Sequence, residues 1–426
     1  MLQLQIIRQN PEWVKERLAV KKFSENNLVD DILSIDTQRK KVQSILDGLQ
    51  TDINSYSKKI GQLISQKKFE EAEEWKKQLE VLRGNIENET TKATLRKLES
   101  DLKEFLIKLP NLPSEKVPPG QTAADNVVVR EGGTIPQLSK NALPHWDLIK
   151  EYDIVDFETG AKITGSGFAL YKGKGAKLQR ALIQYFLDFN TSAGYTEYSP
   201  PFLVNESTAF GTGQLPDKEG QMYYITADDL YLIPTSEVPL VNTFRNEILK
   251  ESDLPIKMTA YSPCFRREAG SFGKDVRGLN RVHQFDKVEL VQIVHPEKSY
   301  DALEEMVTHV EKLIQSLNLP YRILKLCGGD MGFASALTYD FEVYSIAQER
   351  WLEVSSVSNC ESFQTNRMKI RFKDEKGKTQ LLHALNGSSL ALPRIVAALL
   401  ENNQTAEGIE LPEVILPYFG DRMIKN

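Results

Sequence analysis

Apolar residues at heptad spacing are the feature of this sequence that most constrains its fold. They run from Ile35 to Leu63, resume after a polar passage, and continue with one slip in phase to Leu109. Such spacing puts one apolar stripe along a helix, so it predicts two long antiparallel helices joined by a short turn. The remaining faces carry equal numbers of basic and acidic residues, which favours an exposed hairpin over an ordinary pair of bundle helices. The seam positions are Ile35, Val42, Leu46, Leu49, Ile53, Tyr56, Ile60, Leu63, Ala72, Trp75, Leu79, Leu82, Ile86, Leu95, Leu98, Leu102, Phe105 and Leu109.

A proline-rich stretch ends the second predicted helix. Prolines recur from Pro110 to Pro119, and proline can neither donate a backbone hydrogen bond nor continue a helix. The chain has 426 residues, which is enough for two domains. We therefore predict an N-terminal domain at 1–113 and a second domain at 114–426.

The second domain mixes short strands with amphipathic helices. Strand-like segments occur at Ile163 to Tyr171, Lys287 to Ile293 and Trp351 to Ser356, and helical patterns at Lys177 to Phe189 and Tyr300 to Leu317. The strands do not alternate regularly with helices as βαβ units would. The pattern predicts an α+β fold in which an antiparallel sheet is flanked by helices and preceded by the helical arm.

Composition limits the classes of function. No apolar run approaches the roughly 18 residues of a membrane span, and the N-terminus lacks the features of a secretory signal, so we expect a cytoplasmic protein without a membrane partner. Three isolated cysteines offer neither a disulfide framework nor a CxxC zinc spacing. The net charge of -6 argues against a protein that binds nucleic acid through its overall electrostatic field. Any contact with RNA must therefore be local.

An arginine-rich hairpin is predicted around 263–289. Strand-like residues on both sides enclose a loop of Gly, Ser, Lys and Arg, which includes Arg266, Arg267, Arg277 and Arg281. Arginine is always charged and planar, and it suits bidentate binding of phosphate or carboxylate. The hairpin therefore indicates an anionic ligand, although exposed arginines alone would not require one.

The order of three motifs indicates a family. Phe265-Arg266-x-Glu268 followed by Arg281-x-x-x-Phe285 resembles motif 2 of class II aminoacyl-tRNA synthetases, Tyr195 to Val204 resembles motif 1, and Gly387 to Arg394 resembles motif 3. The resemblance narrows to the seryl-tRNA synthetase family and extends over essentially the whole chain, including the helical hairpin. The segments that narrow it are Gly211-Thr-Gly-Gln-Leu-Pro216, Pro234-Thr-Ser-Glu237-Val, His283 to Glu289, Glu353-Val-Ser-Ser356 and Leu385-Asn-Gly-Ser388.

Two residues of motif 3 depart from the family pattern. The family often has glycine at the positions of Ser389 and Pro393. These departures bear on how the following helix begins, but they leave Arg394 in its place.

The resemblance implies an ATP site with Mg²⁺. Arg266 would bind the α-phosphate and the serine carboxylate, Glu268 the adenine amino group, and Arg281 the outer phosphates, while Phe285 and Arg394 would sandwich the ring. Glu353 and Ser356 would bind Mg²⁺, which prefers hard oxygen ligands. The implied catalytic residues are Arg266, Glu353 and Arg394. The implied ATP-binding set is Arg266, Arg267, Glu268, Arg281, Val282, Phe285, Glu353, Val354, Ser355, Ser356 and Arg394.

The resemblance also implies an amino-acid site, RNA contacts and an assembly. The enzyme would form seryl-adenylate and transfer the seryl group to tRNA(Ser), with tRNA(Sec) left open as a second acceptor. A homodimer around Pro201 is expected, and no zinc. The implied serine-binding set is Thr235, Ser236, Glu237, Arg266, Glu289 and Ser388. The basic residues expected to contact tRNA are Lys58, Lys59, Lys67, Lys68, Lys274 and Arg277.

Two other functions remain open from the sequence. One is a synthetase-like ligase that charges a carrier protein, although such relatives lack a tRNA-binding arm. The other is an inactive paralogue that binds RNA, which would typically have lost Arg266, Glu353 or Arg394. All three residues are present.

Overall fold

A computed structural model describes residues 1–25, 27–86, 89–137, 142–217, 219–268 and 277–425. The chain divides into two compact units. An N-terminal unit comprises Met1–Ala19 and Phe23–Pro110, and a C-terminal unit comprises Val20–Lys22 and Asn111–Asn426. Within the described ranges, no helix is both long and apolar enough to cross a membrane.

The predicted heptad seam lies in the long helices of the N-terminal unit, which follow two shorter ones. The longest of them has 38 residues, and the predicted returning helix is described as two helical segments on either side of residues 87–88, which lie outside the described residues. In chain order these helices are α1 Leu4–Gln9, α2 Pro11–Val20, α3 Leu28–Ser65, α4 Phe69–Ile86 and α5 Glu89–Lys108.

Seam residues of α3 pack against those of α4. Ile53, Ile60 and Leu79 form a buried cluster, and the ring of Tyr56 meets that of Trp75 edge-on with centroids 4.6 Å apart. Because α3 ends at Ser65 and α4 begins at Phe69, contacts this close show that the chain reverses direction at the turn. The predicted antiparallel pairing of long helices is therefore present.

The C-terminal unit is built on a large sheet with helices around it. In chain order its helices are α6 His145–Glu151, α7 Phe157–Ile163, α8 Gly173–Ser192, α9 Glu206–Thr212, α10 Glu237–Asn242, α11 Ser299–Ser316, α12 Phe363–Met368, α13 Leu392–Asn402 and α14 Leu416–Phe419. Its strands are β1 Val127–Gly132, β2 Val155–Asp156, β3 Leu170–Tyr171, β4 Thr196–Tyr198, β5 Leu203–Asn205, β6 Tyr224–Ile225, β7 Leu230–Leu232, β8 Ile248–Lys250, β9 Ile256–Phe265, β10 Gln284–Val294, β11 Tyr321–Lys325, β12 Leu337–Ser345, β13 Arg350–Asn359, β14 Arg371–Lys373, β15 Thr379–Leu381, β16 His383–Ala391, β17 Ile409–Glu410 and β18 Met423–Ile424.

The main sheet has the order β1-β11-β12-β13-β16-β10-β9-β4. Every neighbouring pair in it is antiparallel except β4 with β9, which is parallel. The predicted α+β class with an antiparallel sheet is confirmed. Long strands such as β9 and β10 are paired over ten residues, so their side chains are held at fixed positions across the sheet.

Alternation along β10 separates the core from a polar face. Val288 and Leu290 belong to the large hydrophobic core that helices α8, α11 and α13 share with the sheet. Lys287 and Glu289 alternate with them along the strand and point to the other face, because successive strand side chains alternate. The sheet thus carries a helix-covered core on one face and charged groups on the other.

The predicted strand from Ile163 to Tyr171 is wrong over most of its length. Helix α7 extends to Ile163, and only Leu170–Tyr171 pair as a strand. The Asp156 carboxylate caps α7 by accepting a hydrogen bond of 2.8 Å from the Thr159 amide, and such a cap favours the helix over an extended chain. Gly167, at φ +82°, then turns the chain in a conformation that glycine adopts without strain.

Candidate active site

A cavity of about 330 Å³ opens on the polar face of the main sheet. Residues from β10, β13 and β16 form its base, and the segments on either side of the arginine-rich hairpin form its walls. It therefore brings together side chains that are more than a hundred positions apart in the chain. The lining residues are Gln214, Thr235, Glu237, Arg266, Glu268, Leu279, Asn280, Arg281, Val282, Phe285, Lys287, Glu289, Glu353, Val354, Ser355, Ser356, Asn386, Ser388, Ala391, Pro393 and Arg394.

One end of the cavity is a compact network of carboxylate, ammonium and hydroxyl groups. Glu289 lies directly across the strand pair from Ser388. Its Oε2 accepts a hydrogen bond of 3.0 Å from Thr235 Oγ1, and Lys287 Nζ donates to the same hydroxyl at 3.0 Å. Lys287 also forms an ion pair with Glu289. These four side chains are buried, so a ligand here meets fixed polar groups in place of water.

Glu237 adds a second carboxylate to this end. Its Oε1 accepts hydrogen bonds from Gln364 Nε2 at 2.6 Å and from Asn386 Nδ2 at 2.9 Å. Burial, followed by the charge of Glu289, raises the pKa of Glu237 to about 7. A cationic group bound between the two carboxylates would relieve both effects.

The other end of the cavity is arginine-rich. Arg266 follows directly on β9; its Nε donates to the Pro234 carbonyl at 3.4 Å, and its guanidinium carbon lies 5.2 Å from the centroid of the Phe285 ring. Arg394, from the first turn of α13, donates from Nε to the Asn280 carbonyl at 3.1 Å and from Nη1 to the Glu353 carbonyl at 2.6 Å. Backbone contacts thus hold both guanidinium groups at this end of the cavity.

Glu268 and Arg281 form an ion pair across the mouth of the hairpin, with Arg281 Nη1 3.0 Å from Glu268 Oε2. Glu268 has a φ of +48°, a left-handed conformation that is uncommon for a residue other than glycine. The pair links the two strands of the hairpin where they leave the sheet.

A β-bulge places the two predicted magnesium ligands on the same side of the sheet. Glu342 pairs with Glu353 and Phe341 with Ser355, so Val354 is an extra residue in β13. In a regular strand, residues three apart face opposite sides. The extra residue restores Glu353 and Ser356 to one side of the sheet, and both line the cavity.

Asp340 provides a test of whether a cation fits this position. It lies across the strand pair from Ser356, and among the described residues its buried Oδ1 has no hydrogen-bond partner. Burial and then the Glu353 charge raise the pKa of Asp340 well above its usual range. Two carboxylates, one incompletely satisfied, with a neighbouring hydroxyl are the hard oxygen donors that Mg²⁺ prefers, so the residues fit the ion.

Two predicted ligand-binding residues are not part of the cavity lining. The buried Ser236 hydroxyl is 2.6 Å from that of Ser262, so it supports the loop between Thr235 and Glu237. Arg267 Nε donates to the Met222 carbonyl at 3.0 Å, and its guanidinium stacks on Tyr223. Their predicted direct contacts with serine and ATP stay predictions.

The basic residues predicted to contact tRNA occupy different settings. Lys58, Lys59, Lys67 and Lys68 are exposed at and near the α3–α4 turn. Lys59 lies over the Trp75 ring at 4.1 Å, and Lys68 is paired with Glu71 at 3.0 Å. In the C-terminal unit, the Arg277 guanidinium lies 4.4 Å from the centre of the Trp146 ring, whereas Lys274 falls outside the described residues.

Lys287 is the main cavity residue that sequence reasoning missed. It occurs inside the recognised segment His283 to Glu289, but the motif alone gives it no role. The available signal was its spacing of two from Glu289, which puts both side chains on the same face of a strand. Gln214, Asn280 and Asn386 also line the cavity without a predicted role.

The departures in motif 3 are accommodated locally. Pro393 is the second residue of α13, a position where the missing amide proton costs no helical hydrogen bond. The buried Ser389 hydroxyl donates to Asn190 Oδ1 at 3.0 Å. Arg394 consequently lines the cavity.

Comparison with known proteins identifies the family. The model of the seryl-tRNA synthetase N-terminal domain matches residues 1–113, and that of the tRNA synthetase class II core domain (G, H, P, S and T) matches residues 223–403. A serine–tRNA ligase of Salinibacter ruber is 50% identical over 424 residues, covering 99% of this chain and 98% of the relative.

Solved structures agree with the sequence comparison. Seryl-tRNA synthetase from Pyrococcus horikoshii, complexed with ATP, has a TM-score of 0.88 at 33% identity and covers 100% of this chain and 99% of its own. Cytoplasmic serine–tRNA ligase from Naegleria fowleri, in complex with AMP, has a TM-score of 0.87 at 27% identity with the same coverage. The resemblance drawn from the three motifs is confirmed, and the chain belongs to the seryl-tRNA synthetase family.

Proposed function

We propose that this chain is a cytoplasmic serine–tRNA ligase that activates serine with ATP and transfers the seryl group to the 3′ end of tRNA. The observation that carries the proposal is the difference in chemistry between the two ends of one cavity. A buried carboxylate and hydroxyl end, suited to the ammonium and hydroxyl groups of a small amino acid, adjoins an arginine and aromatic end suited to a nucleotide. Two such ligands would meet at Arg266.

The amino-acid end explains why serine would be preferred over alanine. Glu237 and Glu289 would hold the ammonium, and Thr235 and Ser388 stand beside them to meet the serine hydroxyl. A site built to hydrogen-bond a hydroxyl rejects an analogue lacking it by about 10⁴ to 10⁵, because its buried polar groups are left unpaired.

The nucleotide end would orient ATP for attack at the α-phosphorus. Phe285 and Arg394 would enclose the adenine, and Arg266 would contact both the α-phosphate and the serine carboxylate. That carboxylate forms the new bond to phosphorus while the bond to pyrophosphate breaks, which gives seryl-adenylate. No protein nucleophile is needed, so positioning and charge neutralisation would supply most of the rate enhancement.

Mg²⁺ would be held by Glu353 and Ser356, and when bound it would neutralise phosphate charge and favour a bent triphosphate. The Glu353 backbone is already tied to the nucleotide end, because its carbonyl accepts a hydrogen bond from Arg394. Asp340, across the strand pair from Ser356, would fix the direction of that hydroxyl.

The second step requires tRNA. We assign its docking to the N-terminal unit, which presents the exposed lysines of the α3–α4 turn, and to Arg277 in the returning segment of the hairpin. A terminal ribose hydroxyl would attack the seryl carbonyl, and AMP would leave. Local basic contacts of this kind are compatible with the net charge of -6 and make binding sensitive to salt.

Pyrophosphate exchange with each standard amino acid tests the first step, and serine should give the dominant signal. Charging assays with tRNA(Ser), tRNA(Sec) and a carrier protein then identify the acceptor. Exchange with serine but charging only of the carrier protein would replace this proposal with the carrier ligase. Absence of exchange in the folded protein would support the inactive paralogue.

We expect serine binding to depend on pH through Glu237. A carboxyl with a pKa of about 7 is mostly neutral at pH 6 and mostly ionised at pH 8, and only the ionised form balances the serine ammonium. The apparent KM for serine should therefore fall by up to about tenfold between pH 6 and pH 8. The KM for ATP serves as the control, and Glu237→Gln should bind serine weakly without this pH trend. A parent KM for serine that rises over this interval would contradict the assignment.

We also propose a homodimer around motif 1. Next to Pro201, the apolar side chains of Phe202 and Leu203 are 38% and 39% exposed, as expected of a surface that a second copy would cover. Sedimentation at micromolar concentration should give about twice the chain mass of 48.3 kDa. Phe202→Asp with Leu203→Asp should shift the protein to the monomer, and a parent sedimenting only as monomer would refute the proposal.

A further inference from the structure

A buried histidine and carboxylate lie behind the nucleotide end of the cavity. His145 begins α6 and Glu401 lies in the last turn of α13, and both side chains are fully buried. Glu401 Oε1 accepts a hydrogen bond from the His145 backbone amide at 2.9 Å and lies 2.7 Å from His145 Nδ1. Neither residue lines the cavity, and the proposed reaction uses neither.

The second ring nitrogen of His145 fixes its protonation. The Leu279 backbone amide donates to His145 Nε2 at 2.9 Å, and a backbone amide can only donate. Nε2 must therefore carry a lone pair, so the proton is on Nδ1, the imidazole is neutral, and Nδ1 donates to Glu401. The ring connects α13 to the segment where the arginine-rich hairpin returns to the sheet.

The backbone of that returning segment is shaped to approach the ring. Gly278 has a φ of +63°, and a Cβ placed there would lie 2.3 Å from His145 Nε2. Only glycine combines this conformation with this contact. The approach brings the next residue, Leu279, into position to donate to the ring.

A second connection closes the network. Asn280 Nδ2 donates to Gln348 Oε1 at 3.0 Å, and Gln348 Nε2 donates to Glu401 Oε1 at 2.9 Å. Glu401 is thus connected to Leu279 by way of His145, and it is connected to Asn280 by way of Gln348. The Asn280 carbonyl in turn accepts the hydrogen bond from Arg394 Nε.

We infer that His145 and Glu401 are positioning residues for ATP. Through Leu279 and Asn280, which line the cavity, they set the nucleotide wall and the carbonyl that orients Arg394. The serine end is built on β10 and the loop before α10, and its hydrogen bonds run to other residues, so its geometry should not depend on this network. This inference rests on the proposed function, because it assigns the wall to ATP.

Two replacements of His145 distinguish the effect of losing its hydrogen bond with Leu279 from the effect of changing its side-chain volume. Gln places an acceptor near Nε2 and so keeps the bond from Leu279, whereas Asn places a donor near Nδ1 and leaves the Leu279 amide unpaired. A buried unpaired amide is costly, so His145→Asn should raise the KM for ATP in serine-dependent exchange by about tenfold or more. We expect the KM for serine to change less than twofold, and His145→Gln to restore the KM for ATP to within about threefold of the parent value.

Direct ATP binding by calorimetry gives a readout independent of turnover, and thermal unfolding checks that each variant is folded. If His145→Asn does not fold, Gly278→Ala tests the same contact from the other side, and it should weaken ATP binding selectively. Equal losses for ATP and serine, or a His145→Gln variant as impaired as His145→Asn, would overturn the inference. A parent protein without serine-dependent exchange would refute the proposed function instead, and unchanged ATP binding in both His145→Asn and Gly278→Ala would refute the positioning role alone.

Discussion

Replacing Arg266 with alanine should reduce serine-dependent pyrophosphate exchange by at least about 10³-fold. The guanidinium lines the cavity beside Phe285, where in the proposed reaction it would neutralise charge on both reactants. Loss of one preorganised donor to a developing charge typically costs about 10² to 10³-fold, and Arg266 would also hold the second reactant. Single-turnover measurement of adenylate formation would separate this loss from substrate binding.

Arg266→Lys and Arg422→Ala provide the comparison. Lysine keeps the charge but not the planar fork, so its activity should remain well below the parent. Arg422 is 70% exposed and pairs with Glu410, so its removal should leave exchange unchanged. Exchange close to the parent rate in a folded Arg266→Ala protein would eliminate Arg266 from the chemistry.

Shortening the helical hairpin should abolish charging of tRNA but spare serine activation. None of the cavity residues belongs to the N-terminal unit. A deletion of 44–93 with a short joining turn removes Lys58, Lys59, Lys67 and Lys68 but retains Asp36, which is buried and accepts from Arg8 at 2.7 Å. Because phosphate contacts dominate affinity for nucleic acid, kcat/KM for tRNA should fall on the order of 10³-fold at moderate salt.

A variant that changes only charge tests whether the lysines or the shape of the hairpin are responsible for charging of tRNA. Replacing the four lysines with Gln keeps the helices and should weaken charging, with a shallower dependence on salt. The matched control makes the same change in net charge at Lys250, Lys373, Lys376 and Lys378 in the C-terminal unit, and it should charge tRNA like the parent. Full charging by the deletion variant would mean that the hairpin has no part in tRNA binding, and loss of exchange in it would disprove the division of labour.

Local patterns in the sequence were sufficient for the long helices and for most cavity residues. Heptad spacing depends only on neighbours along one helix, so α3 and its return could be predicted from the residues alone. The cavity residues Arg266, Phe285 and Arg394 came from the ordered motifs and Glu353 from a segment that resembles the seryl family, because physical reasoning alone indicated only an anionic ligand near the hairpin.

Contacts between distant segments could not be predicted in this way. The charge pairing of Lys287 with Glu289 requires knowledge of which strand face is polar. Lys21 follows directly on α2, yet its ammonium donates to the Gly332 and Ser335 carbonyls, and burial lowers its pKa to about 7. Partners 311 and 314 positions away leave no signal in local periodicity.

The bulge at Val354 decides how the site would respond to a change in the length of β13. Glu353 and Ser356 are three residues apart, and they share one side of the sheet only because the bulge takes up the extra residue. Deletion of Val354 would leave them two apart, so a regular strand would still place both on the cavity side and would keep the pairing beyond them. Deletion of a residue beyond the bulge would instead exchange the inner and outer surfaces of the residues that follow it. The bulge is thus a position at which the strand could lose one residue without turning its functional side chains away from the cavity.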